Sequence, residues 1–221
     1  QPPLFMHTAE DTVPRSLPMG YPRLMNAEIP KSITRETLNE LPVKRYEGPI
    51  YFVDTPALLH AARIDILAER TLGFDTETRP AFRKGESYLP SIVQVATANG
   101  VHIFPLRYTD THGLLTEMLA APAIAKIGVS LAYDLRTLKQ VFPFHERHIV
   151  DLGIIAKRHG YEQTGVRNLA GLLLGYRVPK GAKTTNWSAP RLTPAQIAYA
   201  ATDAWACREL YLKFGAEGLL D

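Results

Sequence analysis

Leu72-Gly73-Phe74-Asp75-Thr76-Glu77-Thr78 places two acids, two residues apart, inside an apolar run. Alternate residues of a strand share a face, so Asp75 and Glu77 project to the same side. A lone Asp-x-Glu is most often the wet edge of a strand. Acids are nevertheless unfavourable in strands and seldom sit in so apolar a stretch without a partner. Later segments supply the partners in order: Asp134 in Ala132-Tyr133-Asp134-Leu135, then Tyr199 and Asp203 in Tyr199-Ala200-Ala201-Thr202-Asp203. Four carboxylates drawn from three elements repel one another unless divalent cations sit among them. Paired cations held by carboxylates serve in-line attack on a phosphodiester.

The flanking pattern sets this strand in a mixed sheet. Ile50–Val53 reads as a strand, and Thr55-Pro56 as an N-cap and first-turn proline opening a helix to about Arg70. Strands at Ser91–Thr97 and Val101–Phe104 flank Asn99-Gly100, the strongest short-range hairpin signal, so they run antiparallel. A helix at about 111–120, a strand at 123–129, a helix at 130–141 and a short strand at 148–150 follow. Strand–helix–strand connections favour parallel pairing. Asp151 and Thr164 are expected to cap helices ending before Gly160 and Gly175. Thr193-Pro194-Ala195-Gln196 has capping-box spacing and opens a long helix to about Phe214. The expected architecture is α/β, a mixed five- to six-stranded sheet flanked by helices.

Residues 1–49 hold 8 of the 17 prolines. They read as an irregular N-terminal arm (1–48) packing on a main domain (49–221), with one short helix after Thr34 that Pro42 ends. A chain of 221 residues, 46% hydrophobic and 21% charged, suits one large domain with an ample core. The single cysteine, Cys207, forms no intrachain disulfide, and a reducing cytoplasm is the expected setting. No apolar run is long enough to span a membrane, so no membrane partner is expected. The chain begins at Gln1, so it is either trimmed or part of something longer. A net charge of +3 says little about partners by itself. It matters more if four acids are locked in one site, which leaves the remaining surface more basic.

Each acid also has a plainer explanation. Tyr-x-x-x-Asp arises easily by chance, although residues four apart do share a helix face. Thr202, Glu209 and Lys213 follow a spacing that marks the solvent side of that helix, and Asp203 falls elsewhere, beside small residues. Asp134, in the first turn of its helix, could simply complement the helix dipole. Asp151 reads as a cap or a supporting group rather than a ligand. His145 and His148 lack partners for a zinc site.

The joint order is far more specific than its parts: Asp-x-Glu on a strand before a hairpin, Asp after a later strand, Tyr-x-x-x-Asp on the last helix. In this order the sequence resembles the DEDD-type 3′–5′ exonucleases, in the branch with tyrosine in the third motif. The sister branch carries histidine where this chain has Ala198. The resemblance spans roughly 50–214, and Asn186-Trp187-Ser188 looks like the Werner-type and ribonuclease-D-type members. It implies a ribonuclease H-like fold. It implies that Asp75, Glu77, Asp134 and Asp203 hold two divalent cations, Mg²⁺ or Mn²⁺, and that Tyr199 aims the attacking water. It places Glu77 and the Thr76 backbone at the terminal 3′ hydroxyl, so the partner would be nucleic acid with a free 3′ end, single-stranded or frayed.

Basic residues cluster near both halves of the site: Arg79, Arg83 and Lys84 after the Asp-x-Glu strand, and Arg177, Lys180, Lys183 and Arg191 around Trp187. Of these, Arg79, Lys180 and Lys183 are candidate phosphate contacts. Trp187 is either a stacking surface or, more in keeping with its type, a core anchor. The expected activity is release of nucleoside 5′-monophosphates, in DNA repair or RNA processing. DNA is slightly preferred because of the Werner-like segment, and because no room follows residue 221 for the helical RNA-binding domain of ribonuclease D. The alternatives are an RNA-processing exoribonuclease and a catalytically silent nucleic-acid-binding module. No glycine loop supports a nucleotide-dependent metabolic enzyme.

Overall fold

A computed structural model describes residues 29–83, 85–181 and 185–220. Its centre is a six-stranded sheet. The strands are β1 (Ile50–Phe52), β2 (Thr71–Thr78), β3 (Pro90–Ala96), β4 (Val101–Pro105), β5 (Ala125–Gly128) and β6 (Ile149–Asp151), in the order β1-β4-β3-β2-β5-β6. β2, β3 and β4 form the antiparallel meander, and β5 and β6 add in parallel beside β2. β1 pairs in parallel with the outer edge of β4, a partner that sequence periodicity does not reveal. The helices are α1 (Arg35–Glu40), α2 (Pro56–Ala68), α3 (His112–Ala120), α4 (Leu131–Leu138), α5 (Leu152–Arg158), α6 (Val166–Leu174) and α7 (Pro194–Ala216).

Local chemistry sets these boundaries. Thr55 Oγ1 accepts from the Leu58 amide and Pro56 opens α2. The hairpin at Asn99-Gly100 is held from α2: Asp65 accepts from Thr97 Oγ1 at 2.7 Å and from the Asn99 side-chain amide at 2.6 Å. Thr193 and Gln196 form the reciprocal capping box at the start of α7. The helix ending at Gly175 departs from expectation. Its N-cap is Gly165 rather than Thr164, with no side-chain cap, and Gly175 closes it in the left-handed conformation.

The alternation of β2 sorts the molecule into two layers. Leu72 and Phe74 pack with Val93, Val95 and Phe104 against α2, α3 and α4. The opposite face, with Ile92, Ala96, Val101 and Ile103, packs against Ala200, Ala201 and Ala204 of α7. Small residues on α7 let the helix lie close. Gly73 makes the closest approach possible, because a Cβ there would stand 2.0 Å from the Ala204 carbonyl oxygen. α7 therefore crosses β2 almost in backbone contact, at the residue next to Asp203.

Residues 29–48 lie against this frame. Lys44 N–H donates to the Arg177 carbonyl at 3.0 Å and Arg177 N–H to the Pro42 carbonyl at 2.9 Å. Leu38 is buried, and Tyr46 N–H donates to Thr202 Oγ1 at 3.0 Å. That last bond corrects an expectation: Thr202 is fully buried rather than solvent-facing, because the arm covers its side of α7. The rest of the arm, residues 1–28, lies outside the described residues.

Gly73→Ala tests the close approach. The added methyl has no room, so we expect about 1–3 kcal/mol of destabilisation, read from denaturant melts. A variant as stable as wild type would show that α7 has slack over β2.

Candidate active site

Asp75 and Glu77 point from β2 towards α7, where Asp203 meets them. One carboxylate oxygen from each of the three lies within 4.8 Å of the other two. Glu77 is 8% exposed. Burial, and then the charges of Asp203, Glu77 and Asp134, push the Asp75 carboxyl well above its ordinary range. Three oxygen donors at this spacing suit a hard cation. Two oxygens bound to one Mg²⁺ at ~2.1 Å stand at most ~4.2 Å apart, so closing the site asks for less than ~1 Å of adjustment. The residues present thus fit a divalent cation.

Asp134 reaches the site from the other layer. α4 packs on the face of β2 that carries Thr76, and Thr76 Oγ1 donates to Asp134 Oδ1 at 2.8 Å. Asp134 consequently stands outside the three-carboxylate group, while its charge still raises the Asp75 pKa. The start of α4 is fixed by Asp151, whose carboxylate accepts from Ser130 N–H at 3.1 Å and Leu131 N–H at 3.0 Å. The same carboxylate accepts from Gly153 and Ile154 at the start of α5. Asp151 is thus the cap expected of it, and it serves two helices. Ser130, held at φ 62°, makes the left-handed turn that aims α4.

Tyr199 lies one turn before Asp203 and hydrogen-bonds to its carboxylate. Burial first, then the Asp203 charge and that hydrogen bond, push the hydroxyl above its ordinary value. The phenol stays protonated and keeps its lone pairs available to an incoming group. Gly181 lies against the ring, and a Cβ there would meet Tyr199 Cδ2 at 2.0 Å.

The model of a 3′–5′ exonuclease family matches residues 50–218. The chain belongs to the DEDD 3′–5′ exonucleases. It is 30% identical over 176 residues to ribonuclease D of Haemophilus influenzae, covering 76% of this chain and 43% of that one. It is 31% identical over 192 residues to ribonuclease D of Acidiphilium cryptum, covering 81% and 47%. The chain thus matches less than half the length of either ribonuclease D. The exonuclease domain of Aedes aegypti Nibbler superposes with a TM-score of 0.69 at 19% identity, covering 81% of this chain and 100% of that one, and shares the fold. DEDD exonucleases work with divalent cations.

Around this centre the candidate contacts divide. Lys180 is exposed and lines a cleft of about 670 Å³ that also reaches Tyr199 and Asp203. Arg79 is exposed, with its guanidinium 4.7 Å from the centre of the Tyr88 ring. Lys183 and Lys84 lie outside the described residues. The Thr76 side chain is committed to Asp134, which leaves its backbone as the group available to a substrate. Trp187 is corrected: it is 0% exposed and packs with Ile92, Ile103 and Ala200, so no base can stack on it.

Two features escaped the sequence reading. Gln94 pairs directly with Asp75 across β2 and β3 and is fully buried, placing an amide beside the carboxylate. No motif marks it, since it sits in an otherwise apolar strand. The second is the cleft itself, whose walls come from distant parts of the chain.

In EDTA the raised Asp75 carboxyl has a definite consequence. Above about pH 4 the folded protein keeps a proton that the unfolded chain has released, so stability falls as pH rises. Asp75→Asn removes this contribution. The variant is expected to melt higher than wild type at pH 8 in EDTA, with the gap shrinking towards pH 4. Mn²⁺ at a hundredfold excess over Kd should raise the wild-type melting temperature by roughly 5–10 °C, and the variant's far less. A pH-independent gap would contradict the repulsion, and equal Mn²⁺ shifts would remove Asp75 as a ligand.

Proposed function

We propose that the chain hydrolyses the terminal phosphodiester of a polynucleotide from its free 3′ end, releasing nucleoside 5′-monophosphates with the help of two divalent cations. The observation that carries this is the meeting of Asp75, Glu77 and Asp203 within 4.8 Å, with Asp134 close enough to act on Asp75. Asp75, Glu77 and Asp203 would hold one cation, and Asp75 with Asp134 the other. Bound there, the cations activate a water and offset charge on the leaving oxygen.

The chain's own groups do the rest. Tyr199, protonated and tethered to Asp203, accepts a hydrogen bond from the attacking water and aims it; a phenol with a raised pKa is a poor base. Thr76 keeps Asp134 at the rim. Gln94 adds a polar wall beside Asp75. Glu77 and the Thr76 backbone take the 3′ hydroxyl, and Lys180 contacts phosphate. A reducing compartment suits Cys207, whose thiol is buried and held protonated, first of all by that burial.

RNA is the favoured polymer. Two relatives matched over most of this chain carry the name ribonuclease D. The Werner-like segment carries little argument for DNA, because its residues serve packing. Trp187 is buried, the Asn186 side chain accepts from Ser188 N–H, and the Asn186 carbonyl accepts from Gln196.

The test uses 5′-labelled RNA and DNA oligonucleotides with Mg²⁺, Mn²⁺ or EDTA. A one-nucleotide ladder is expected, faster on RNA, absent in EDTA and in Asp75→Asn. Tyr199→Phe should lower kcat by about 10²-fold with the Mn²⁺-induced thermal shift retained. Stable binding without a ladder would overturn the enzyme reading in favour of a silent binding module.

A further inference from the structure

The cleft beside Tyr199 and Asp203 is only partly built by the family domain. Residues matched by the family model begin at 50. Yet α1, from the arm, contributes Arg35 and Asn39 to the cleft lining, together with Arg167 of α6 and Lys180. Among the described lining residues, Asp203 at the catalytic end is the sole acid and Tyr199 the sole aromatic ring.

The arm is fixed firmly enough to form a wall. Ile33 N–H donates to Gln163 Oε1 at 2.9 Å, and Glu162 N–H donates to the Lys31 carbonyl at 2.9 Å. Leu38, Ile33 and Leu41 crowd Gly171 of α6, where an added Cβ would meet Leu38 at 2.6 Å. Asn39 Oδ1 accepts from Arg167 at 3.2 Å and from Arg177 at 3.3 Å.

Among the described residues, Arg35, Arg167, Arg177 and Lys180 form no salt bridge. Arg167 is half-buried, donates to the Val178 carbonyl at 3.0 Å, and has its Nε buried without a partner. Burial, and then the like charge of Arg177, disfavour its charged form. Such a wall attracts an anion. With cations and amides on its walls and a single ring, already tied to Asp203, it suits phosphates rather than stacked bases.

We propose that the N-terminal arm completes a sequence-independent subsite for the phosphodiester backbone, with Arg35 as a positioning residue that holds nucleotides on the 5′ side of the scissile bond. The subsite rests on the polynucleotide reading above and deepens it: an exonuclease that grips a terminal nucleotide must lead the remaining strand away from the site. Arg35 is exposed, so replacing it spares the core.

The experiment measures binding of fluorescent di- and octanucleotides, of uridine and of thymidine, to the 221-residue chain carrying Asp75→Asn, so that no strand is cut. Adding Arg35→Ala should weaken octanucleotide binding about tenfold in both polymers and weaken dinucleotide binding much less. It should also lower the slope of log K against log salt by about 0.7, the value of one phosphate contact on a single strand. Arg35→Lys should restore the slope. Arg63→Ala, which breaks an ion pair between α2 and α3 on the other layer, is the charge control and should leave both probes at the reference value. An unchanged slope and affinity in Arg35→Ala, an equal loss on both lengths, or an equal loss in Arg63→Ala would each overturn the subsite. So would failure of the octanucleotide to bind at all. Because binding is read without turnover, an Arg35-dependent octanucleotide complex in a protein that lays down no ladder would defeat the enzyme reading alone.

Discussion

Mutual repulsion among Asp75, Glu77 and Asp203 is the constraint around which the molecule is organised. Like charges gathered out of water are costly, and only the packing of α7 across β2 brings them together. That packing is apolar and close. Gly73 admits the Ala204 carbonyl, and Ala200, Ala201 and Ala204 seat the helix against the sheet. The stabilisation supplied by this interface offsets strain at the site. The balance shifts when a cation arrives, because binding to the folded state alone adds stability.

The second acid source, α4, lies on the opposite face of the sheet. Its leucines pack in the core on that face, and polar links fix its start and its acid. Asp151 gathers the first amides of two helices, and Thr76 ties Asp134 to the strand that carries Asp75 and Glu77. Thr76 therefore connects the two layers, pointing to one while its neighbours point to the other. The three-carboxylate group comes from β2 and α7, and the fourth acid is mounted separately at its margin. A site in two parts suits two cations with unequal numbers of protein ligands.

Much of this was legible because it is local. Strand β2 was readable from its apolar run, the β3–β4 hairpin from Asn99-Gly100, and the start of α7 from its capping box. The order of the four acids and Tyr199 pointed to the family. What stayed hidden depends on contacts between distant segments. Thr202 looked solvent-facing because periodicity carries no information about an arm that covers it. Trp187, flanked by basic residues, was open to two readings, stacking surface or core anchor, and only the tertiary packing decides for the core. The parallel pairing of β1 with β4 follows from tertiary placement of a three-residue strand. The cleft joins Arg35 to Arg167 across more than a hundred residues, beyond the reach of any spacing rule.

The central claim is that Asp75, Glu77 and Asp203 share one cation. Anomalous diffraction from crystals soaked in Mn²⁺ tests it most directly. The account predicts a peak at roughly 2.1 Å from an oxygen of each of the three carboxylates. A fully occupied peak that leaves Asp203 out of its coordination sphere, or no peak between β2 and α7 at saturating Mn²⁺, would contradict it.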